Sequence, residues 1–402
     1  SSEFVAIIDL LAYLGQSLAF RTDLNSRENF IDTAERRESI LRLAKLINYK
    51  AKRNSPARGL LKITKIRTTE PLTDSDGTNL ADLSINWNDP NNSEWYDQWL
   101  TVCNSAFESN NQFGNPVKSG TVATIPADIY NINTSTDQPV VKNFSEIVDG
   151  TSTSIDVVKA DINTGGYFEE RSPDQSEAYN MIYRNDSLGF SSSNTGFFMY
   201  FKEGELKYED FAFNQPIPNR TVDINQTGIN DIDVYVQKVG ANGVPLEKWT
   251  SVPSLFGQNT IYNSLALGTR TVYNVLSRND DEVSVVFSDG NFGDAPSGQF
   301  RVYFRQSKGN GQVIRANRIT NKEISLRYNN SQGQEFTITL GLSLTYTVSN
   351  SQPTESDAEI KNNAPQSFYT QDRMVNGEDY NIFPLTQSNA IRKIKSLNKT
   401  HI

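Results

Sequence analysis

Residue types able to do acid–base or metal chemistry are unevenly supplied in this 402-residue chain. Carboxylates are plentiful, 47 against 38 Lys and Arg, for a formal net charge of −9. There is one histidine, His401, and one cysteine, Cys103. A Ser-His-Asp or Cys-His arrangement needs an imidazole held rigidly by its surroundings, which the next-to-last position rarely provides. The usual Cys/His zinc site lacks ligands. A lone cysteine forms no internal disulfide, which suits a reducing compartment. What remains for catalysis is carboxylate, Lys and Tyr, and no spacing selects a pair. "DSDGTNLAD" imitates a calcium loop, with Asp74, Asp76 and Asn79 around Gly77, but Ile85 stands where the loop needs its bidentate Glu. It reads as an ordinary turn. The other concentration is "APQSFYTQDRMVNGEDY", residues 364–380, where Asp372, Arg373 and Asp379 lie close together. No nucleophile–base or metal-ligand pattern organises them. The expectation is a non-enzyme with no catalytic residue, no cofactor and no metal. Its acidic balance also argues against a nucleic-acid surface, which needs a basic patch to displace counterions.

The elements around these residues explain more than the residues do. Positions 4 to about 49 read as helical. Phe4, Ile7, Ile8, Leu11, Leu14 and Leu18 recur every three or four residues and share one face. A second stripe, Phe30, Ala34, Ile40, Leu43, Ala44 and Ile47, predicts an antiparallel helical pair that ends near Pro56 and Gly59. Each buried apolar side chain contributes roughly 1.5–3 kcal/mol, and ordering costs about 1–2 kcal/mol per residue. So small a pair must therefore rest on something else, either the protein's own β-domain or a helix of another subunit. "FVAIIDLLAYLGQSLAF" is interrupted by Asp9 and Gln16, so no membrane-spanning helix is expected. Ser1 in place of Met leaves room for a missing N-terminus.

From about residue 60 the period changes to that of strands. The stretch from Glu70 to Asn115 is polar, with Trp87, Trp95 and Trp99 scattered through it. Residues 120–350 hold strand-like runs between Gly, Asn and Pro turns, among them "GFFMYFKEG" and "GQFRVYFRQ". In "EFTITLGLSLTYTV", Phe336, Ile338, Leu340, Leu342, Leu344, Tyr346 and Val348 share a face. Such alternation fixes strand register. An antiparallel, sandwich-like region with one wet face follows. Beyond it, Thr354 with Asp357 three residues on predicts a capped helix that stops before Pro365. Asn376, with Glu378 and Asp379, predicts a second capped helix, stopped or kinked near Pro384. The connector between them offers Phe368 and Val375 to the core, while Arg373 is available to bond helix-end carbonyls or a carboxylate.

"ESDAEIKNNAPQSFYTQDRMVNGEDY" resembles the signature of the baseplate J-like family, wedge subunits of contractile phage tails. The matching positions are Ala364, Pro365, Phe368, Gln371, Asp372, Arg373, Val375, Asn376, Asp379 and Tyr380, with Asn376 standing where the family usually has Thr. "VVFSDGNFGDAPSGQFRVYFRQSKGNG" is similar to a second family run at Gly293, Pro296, Gly298, Phe304 and Arg305, with Ser288 replacing a Gly. The first fifty or so residues resemble the family's N-terminal helices. The resemblance covers about a third of the chain and leaves residues 65–220 unmatched.

The resemblance implies a virion protein of the tail baseplate, assembled in the host cytoplasm. It would be a homodimer within a wedge, linked to neighbouring wedges and to hub- and sheath-proximal proteins, with no nucleic-acid partner and no membrane insertion. It further implies that Phe4, Ile7, Ile8, Leu11, Leu14 and Leu18 meet helices of other wedge proteins. Family members continue past the signature into α/β domains, so the resemblance implies either a short member or part of a longer chain. The expected fold class is α+β. Residues 1–60 form a helical segment, 61–220 a β-rich region with an irregular insertion, 221–350 an antiparallel β domain, and 351–402 the signature helices opening a truncated domain. The competing reading is a β-sandwich adhesin that holds carbohydrate on Trp87, Trp95, Trp99 and Trp249. A carboxylate-pair glycosidase is a third.

Overall fold

The computed structural model describes all residues except 1, 48, 50, 86, 88–92, 175–178, 241–242, 253–254, 256–269, 292, 309–310, 371–372, 376, 388–393 and 398–402. The class is α+β, as expected: an N-terminal helix, central antiparallel sheets and short C-terminal helices. The chain divides into two compact units. One holds Ser1–Asn54, Arg278–Asp281 and Gln352–Ile402; the other holds Ser55–Ser277 and Glu282–Ser351.

The helices are α1 (Ser2–Arg27), α2 (Arg37–Leu46), α3 (Ser93–Ala106), α4 (Asp357–Thr370) and α5 (Asp379–Gln387). In the first unit, α2 lacks a local side-chain cap. The Glu28 carboxylate instead accepts the amides of Glu35 at 3.0 Å and Arg36 at 3.2 Å. The apolar face of α2 is covered by α4, where Ile40 and Ala44 cluster with Ile360, Ala364, Ala34 and Tyr49. Arg37 ion-pairs with Asp357, 320 positions on, at 2.5 Å. Glu355 is 1% exposed and accepts from Tyr49 Oη at 2.7 Å, Lys52 N at 2.9 Å and Asn363 Nδ2 at 2.7 Å. The antiparallel pair predicted from the two sequence stripes is thus corrected. The second stripe found its partner at the far end of the chain, an interaction that local periodicity does not encode.

The second unit is built from strands. They begin with β1 (Arg58–Thr68), β2 (Asp82–Ser84), β3 (Lys118–Val122), β4 (Ile125–Asn131), β5 (Lys142–Val148) and β6 (Thr151–Val158). There follow β7 (Ala160–Ile162), β8 (Phe168–Glu170), β9 (Asn180–Arg184) and β10 (Gly196–Glu203). Next come β11 (Glu205–Phe213), β12 (Thr221–Ile224), β13 (Ile229–Val239), β14 (Pro245–Lys248), β15 (Thr250–Ser251) and β16 (Val272–Ser277). The last are β17 (Val283–Phe287), β18 (Gly298–Gln306), β19 (Lys322–Asn329) and β20 (Glu335–Ser343).

One large sheet runs β19-β20-β1-β10-β9-β4-β3, with β2 on β1, β6 on β10 and β5 on β6. Its centre is β10, every residue of which is buried. Phe197, Met199 and Phe201 enter the main core, while Phe198 and Tyr200 enter a second core with Leu60, Ile129, Val158 and Ile182. The expectation of one wet face fails here because both faces of this strand are covered. At β20 it holds. Ile338, Leu340, Leu342, Leu344 and Val348 line the main core with Phe336 and Tyr346 against it, and Thr339 on the other face meets Ser325 at 2.9 Å. The polar stretch after Glu70 contains α3. Trp87 meets Trp95 and Trp99 there in T-shaped, edge-to-face contacts at 5.4 and 5.3 Å.

The chain leaves the large sheet after β10 and returns at β19. Between them, two four-stranded sheets, β11-β18-β13-β14 and β12-β17-β16-β15, face each other across their own core, which includes Val236, Trp249, Phe287, Phe300 and Phe304. The boundary expected near residue 220 therefore falls inside this inserted sandwich. Strands β19 and β20 belong with β1, to which β20 pairs from Lys62↔Ser343 to Thr68↔Ile338.

Two-sided burial of β10 sets an expectation. Phe198→Ala should lower the unfolding free energy by about 3–5 kcal/mol, and Ser325→Ala on the wet face by less than about 0.5 kcal/mol. Urea denaturation measures both, and equal small losses would contradict the placement of β10.

Candidate functional site

Helix α1 carries its apolar side chains into solvent. Phe4 is 66% exposed, Leu11 62% and Leu18 70%. Ile7, Ile8 and Leu14 are exposed with them, as are Val5, Leu10, Tyr13 and Phe20. At ~100° per residue the six predicted positions share one face, and Asp9 lies opposite Leu18. The segment Phe4–Arg27 is long and apolar enough to cross a membrane by length and composition, with a mean hydropathy of 1.4 over its best window. This corrects the expectation that Asp9 and Gln16 interrupt the run too strongly for that. Large exposed apolar patches mark interaction sites, and α1 is the most continuous one among the described residues.

The signature region behaves differently from its prediction at several points. The capping box is made by Ser356 and Glu359, not by Thr354 and Asp357. Ser356 N donates to Glu359 Oε2 at 2.8 Å, and Glu359 N donates back to Ser356 Oγ at 3.3 Å. Thr354 serves elsewhere: its hydroxyl donates to Asp281 at 2.6 Å and accepts from Asn54 N at 3.1 Å. Helix α4 does not stop before Pro365 but continues to Thr370, and α5 likewise runs through Pro384. The burial of Ile360 and Ala364 against α2 outweighs the one backbone bond that Pro365 removes. Phe368 and Val375, expected in the core, are 53% and 75% exposed, because the connector is helical as far as Thr370. Arg373 and Tyr380 are exposed as well, and Asp379 accepts from Val375 N at 2.9 Å. Gln371, Asp372, Asn376 and His401 lie outside the described residues.

The second run is folded into the sandwich. A Cβ on Gly293 would lie 2.8 Å from Ser288 and from Val272, so only glycine fits against the serine there. Pro296 and Phe304 are buried, and Arg305 is fully buried among carboxylates. That setting was not visible from the sequence. The remaining candidates are structural. Asp74 Oδ1 accepts from Asp76 N at 2.6 Å and Asn79 Oδ1 from Ala81 N at 3.0 Å, which closes a turn. Trp87, Trp99 and Trp249 are core residues, and Trp95 packs against them or their neighbours. They form no open aromatic platform. Among the described residues no cluster of His, Cys, Asp or Glu is placed to hold a metal ion.

Comparison with known families agrees with this division. Residues 59–347, well over half of the chain, match a family described as a domain of unknown function (DUF8360), and the chain belongs to that family. Residues 3–46 match the bacteriophage baseplate protein N-terminal domain, which supports a structural protein of a phage baseplate. No curated protein matches the chain. The baseplate match coincides with α1, which holds the exposed stripe, and α2.

The bonds from Ser356 hold the Glu359 carboxyl below the usual carboxylate range. A depressed acid stabilises the fold above its unfolded pKa, and that stability is lost as pH falls through the folded value. Ser356→Ala should therefore cost about 1 kcal/mol at neutral pH. Its deficit should shrink once Glu359 is protonated, as followed by urea denaturation at neutral and strongly acidic pH.

Proposed function

We propose that this chain is a baseplate wedge protein of a contractile phage tail. In this reading it is a non-enzymatic bracket that dimerises within a wedge, links wedges into a ring around the hub, and couples the ring's rearrangement to sheath contraction. The observation that carries it is the uncovered apolar face of α1 inside the segment that matches a baseplate N-terminal domain. Phe4, Ile7, Ile8, Leu11, Leu14 and Leu18 form the seam against helices of other wedge proteins. Asp9 with Gln16 beside it, opposite Leu18, and the charged last turns with Arg21, Asp23 and Arg27 favour this over a bilayer, where ionisable groups are costly. The resemblance of residues 355–380 to the J-like signature supports the wedge assignment over other baseplate positions. The site of action is the virion tail, with assembly in the host cytoplasm.

Leu11→Asp with Leu14→Asp tests the seam. The doubly substituted chain should keep its circular dichroism spectrum and its thermal transition, and should fail to enter baseplates in an assembly assay. Loss of fold and assembly together would contradict the division between a folded body and a gripping helix. Flotation of the unsubstituted chain with lipid vesicles, abolished by the same substitutions, would favour a membrane seat instead.

A further inference from the structure

The sandwich inserted between β10 and β19 meets the large sheet through charge. Arg305 on β18 is completely buried. Its guanidinium bonds Asp156 on β6 and Glu170 on β8, the latter at 2.8 Å, and its Nε lies 3.6 Å from Asp233 on β13. Lys202 on β10 reaches Asp233 at 2.5 Å and Glu170 at 3.1 Å. Each cation thus belongs to one lobe and crosses to a carboxylate of the other. Arg305 runs from the insert to the parent sheet, and Lys202 from the parent sheet to the insert. The carboxylates are held in turn. Asp156 accepts from Leu206 N at 2.8 Å and Asn143 at 2.6 Å, and Asp233 accepts from Asn230 at 2.8 Å. Beside the cluster, Gln237 of the insert donates to Ser172 at 2.9 Å and to Pro173 O.

Burial disfavours charge on Arg305 and Lys202, but the facing carboxylates outweigh it and hold both cationic. Burial raises Asp156, and Arg305 offsets this only in part. Burial also disfavours charge on Asp233, yet the two cations overcome it and keep that group ionised. The two lobes have separate apolar cores. The chain crosses between them at Gly204, where φ is +104 and a Cβ would lie 2.4 Å from Gln306 O. That crossing is tight, and the chain returns between Gln306 and Lys322.

We infer that this five-charge cluster is an ionic joint that couples the inserted sandwich to the parent sheet, so that two separately cored lobes behave as one rigid body only while it is intact. Ion pairs suit such a joint. Their partners are directional and fix one register, whereas an apolar contact of the same size tolerates sliding, and losing one partner leaves buried charges unpaired. The inference stands independently of the baseplate reading.

Arg305→Met is the test, read by calorimetry and by hydrogen exchange on the full chain. In the unsubstituted protein the inserted sandwich and the parent sheet should unfold in one shared transition. In the variant that transition should split in two, with amides of β11, β13 and β18 exchanging at least about tenfold faster relative to those of β1 and β20. Arg301→Met, on the same strand but paired with Asp210 at the surface, should leave the single transition unchanged. Should Arg305→Met fail to fold, Lys202→Met, which cuts the reverse link, is read in the same way. A single transition in the folded variant overturns the joint. This holds whether the transition is unshifted or is lowered with both lobes losing protection equally.

Discussion

A helix that turns Phe4, Ile7, Ile8, Leu11, Leu14 and Leu18 toward water is an unfinished contact. Each of those side chains would gain about 1.5–3 kcal/mol from full burial. Elsewhere the exposed apolar side chains, such as Ile147, Leu188 and Leu246, are scattered, and most of the others are packed in cores. The large sheet closes on two cores, the sandwich on a third, and α2 with α4 on a fourth. In the proposed reading, α1 is the part of the subunit left for partner helices to grip.

The same economy explains how the first unit is made. Its short helices cannot form a core from neighbours in sequence, so α2 reaches α4 across most of the chain. Burial of Ile40, Ala44, Ile360 and Ala364 gives the contact its energy. Directional bonds give it register: Arg37 on Asp357, and Glu355 on Tyr49, Lys52 and Asn363. The acidic run "ESDAEIKNN" is thus an address for the N-terminal segment as well as a helix start.

What could be read from the sequence follows the range of the interactions. The alternating row from Phe336 to Val348 was legible because strand burial has a local period of two, and α1's stripe because helix burial has a local period of three to four. Helix α3 carried a similar signal in Trp95, Trp99, Val102 and Ala106, but the polar residues around it masked the spacing. The cap at Ser356 lay two positions from the one predicted at Thr354, since either hydroxyl precedes an acid by three. Only the fold shows that Thr354 is engaged with Asp281. The passage of α4 through Pro365, the two-sided burial of β10 and the return of β20 to β1 depend on partners far away in the chain, which no local window contains. The setting of Arg305 is the extreme case, with its three charged partners, Asp156, Glu170 and Asp233, spread over β6, β8 and β13.

The proposed gripping role of α1 is tested most directly by thiol labelling at Leu11→Cys in the free chain and in assembled baseplates. The native thiol is a silent background, because Cys103 is fully buried and burial pushes its pKa up. The account predicts rapid labelling of the free chain and strong protection after assembly, while Ile147→Cys, on an exposed strand position, labels equally in both. Equal labelling of the Leu11 site in the assembled particle would contradict it.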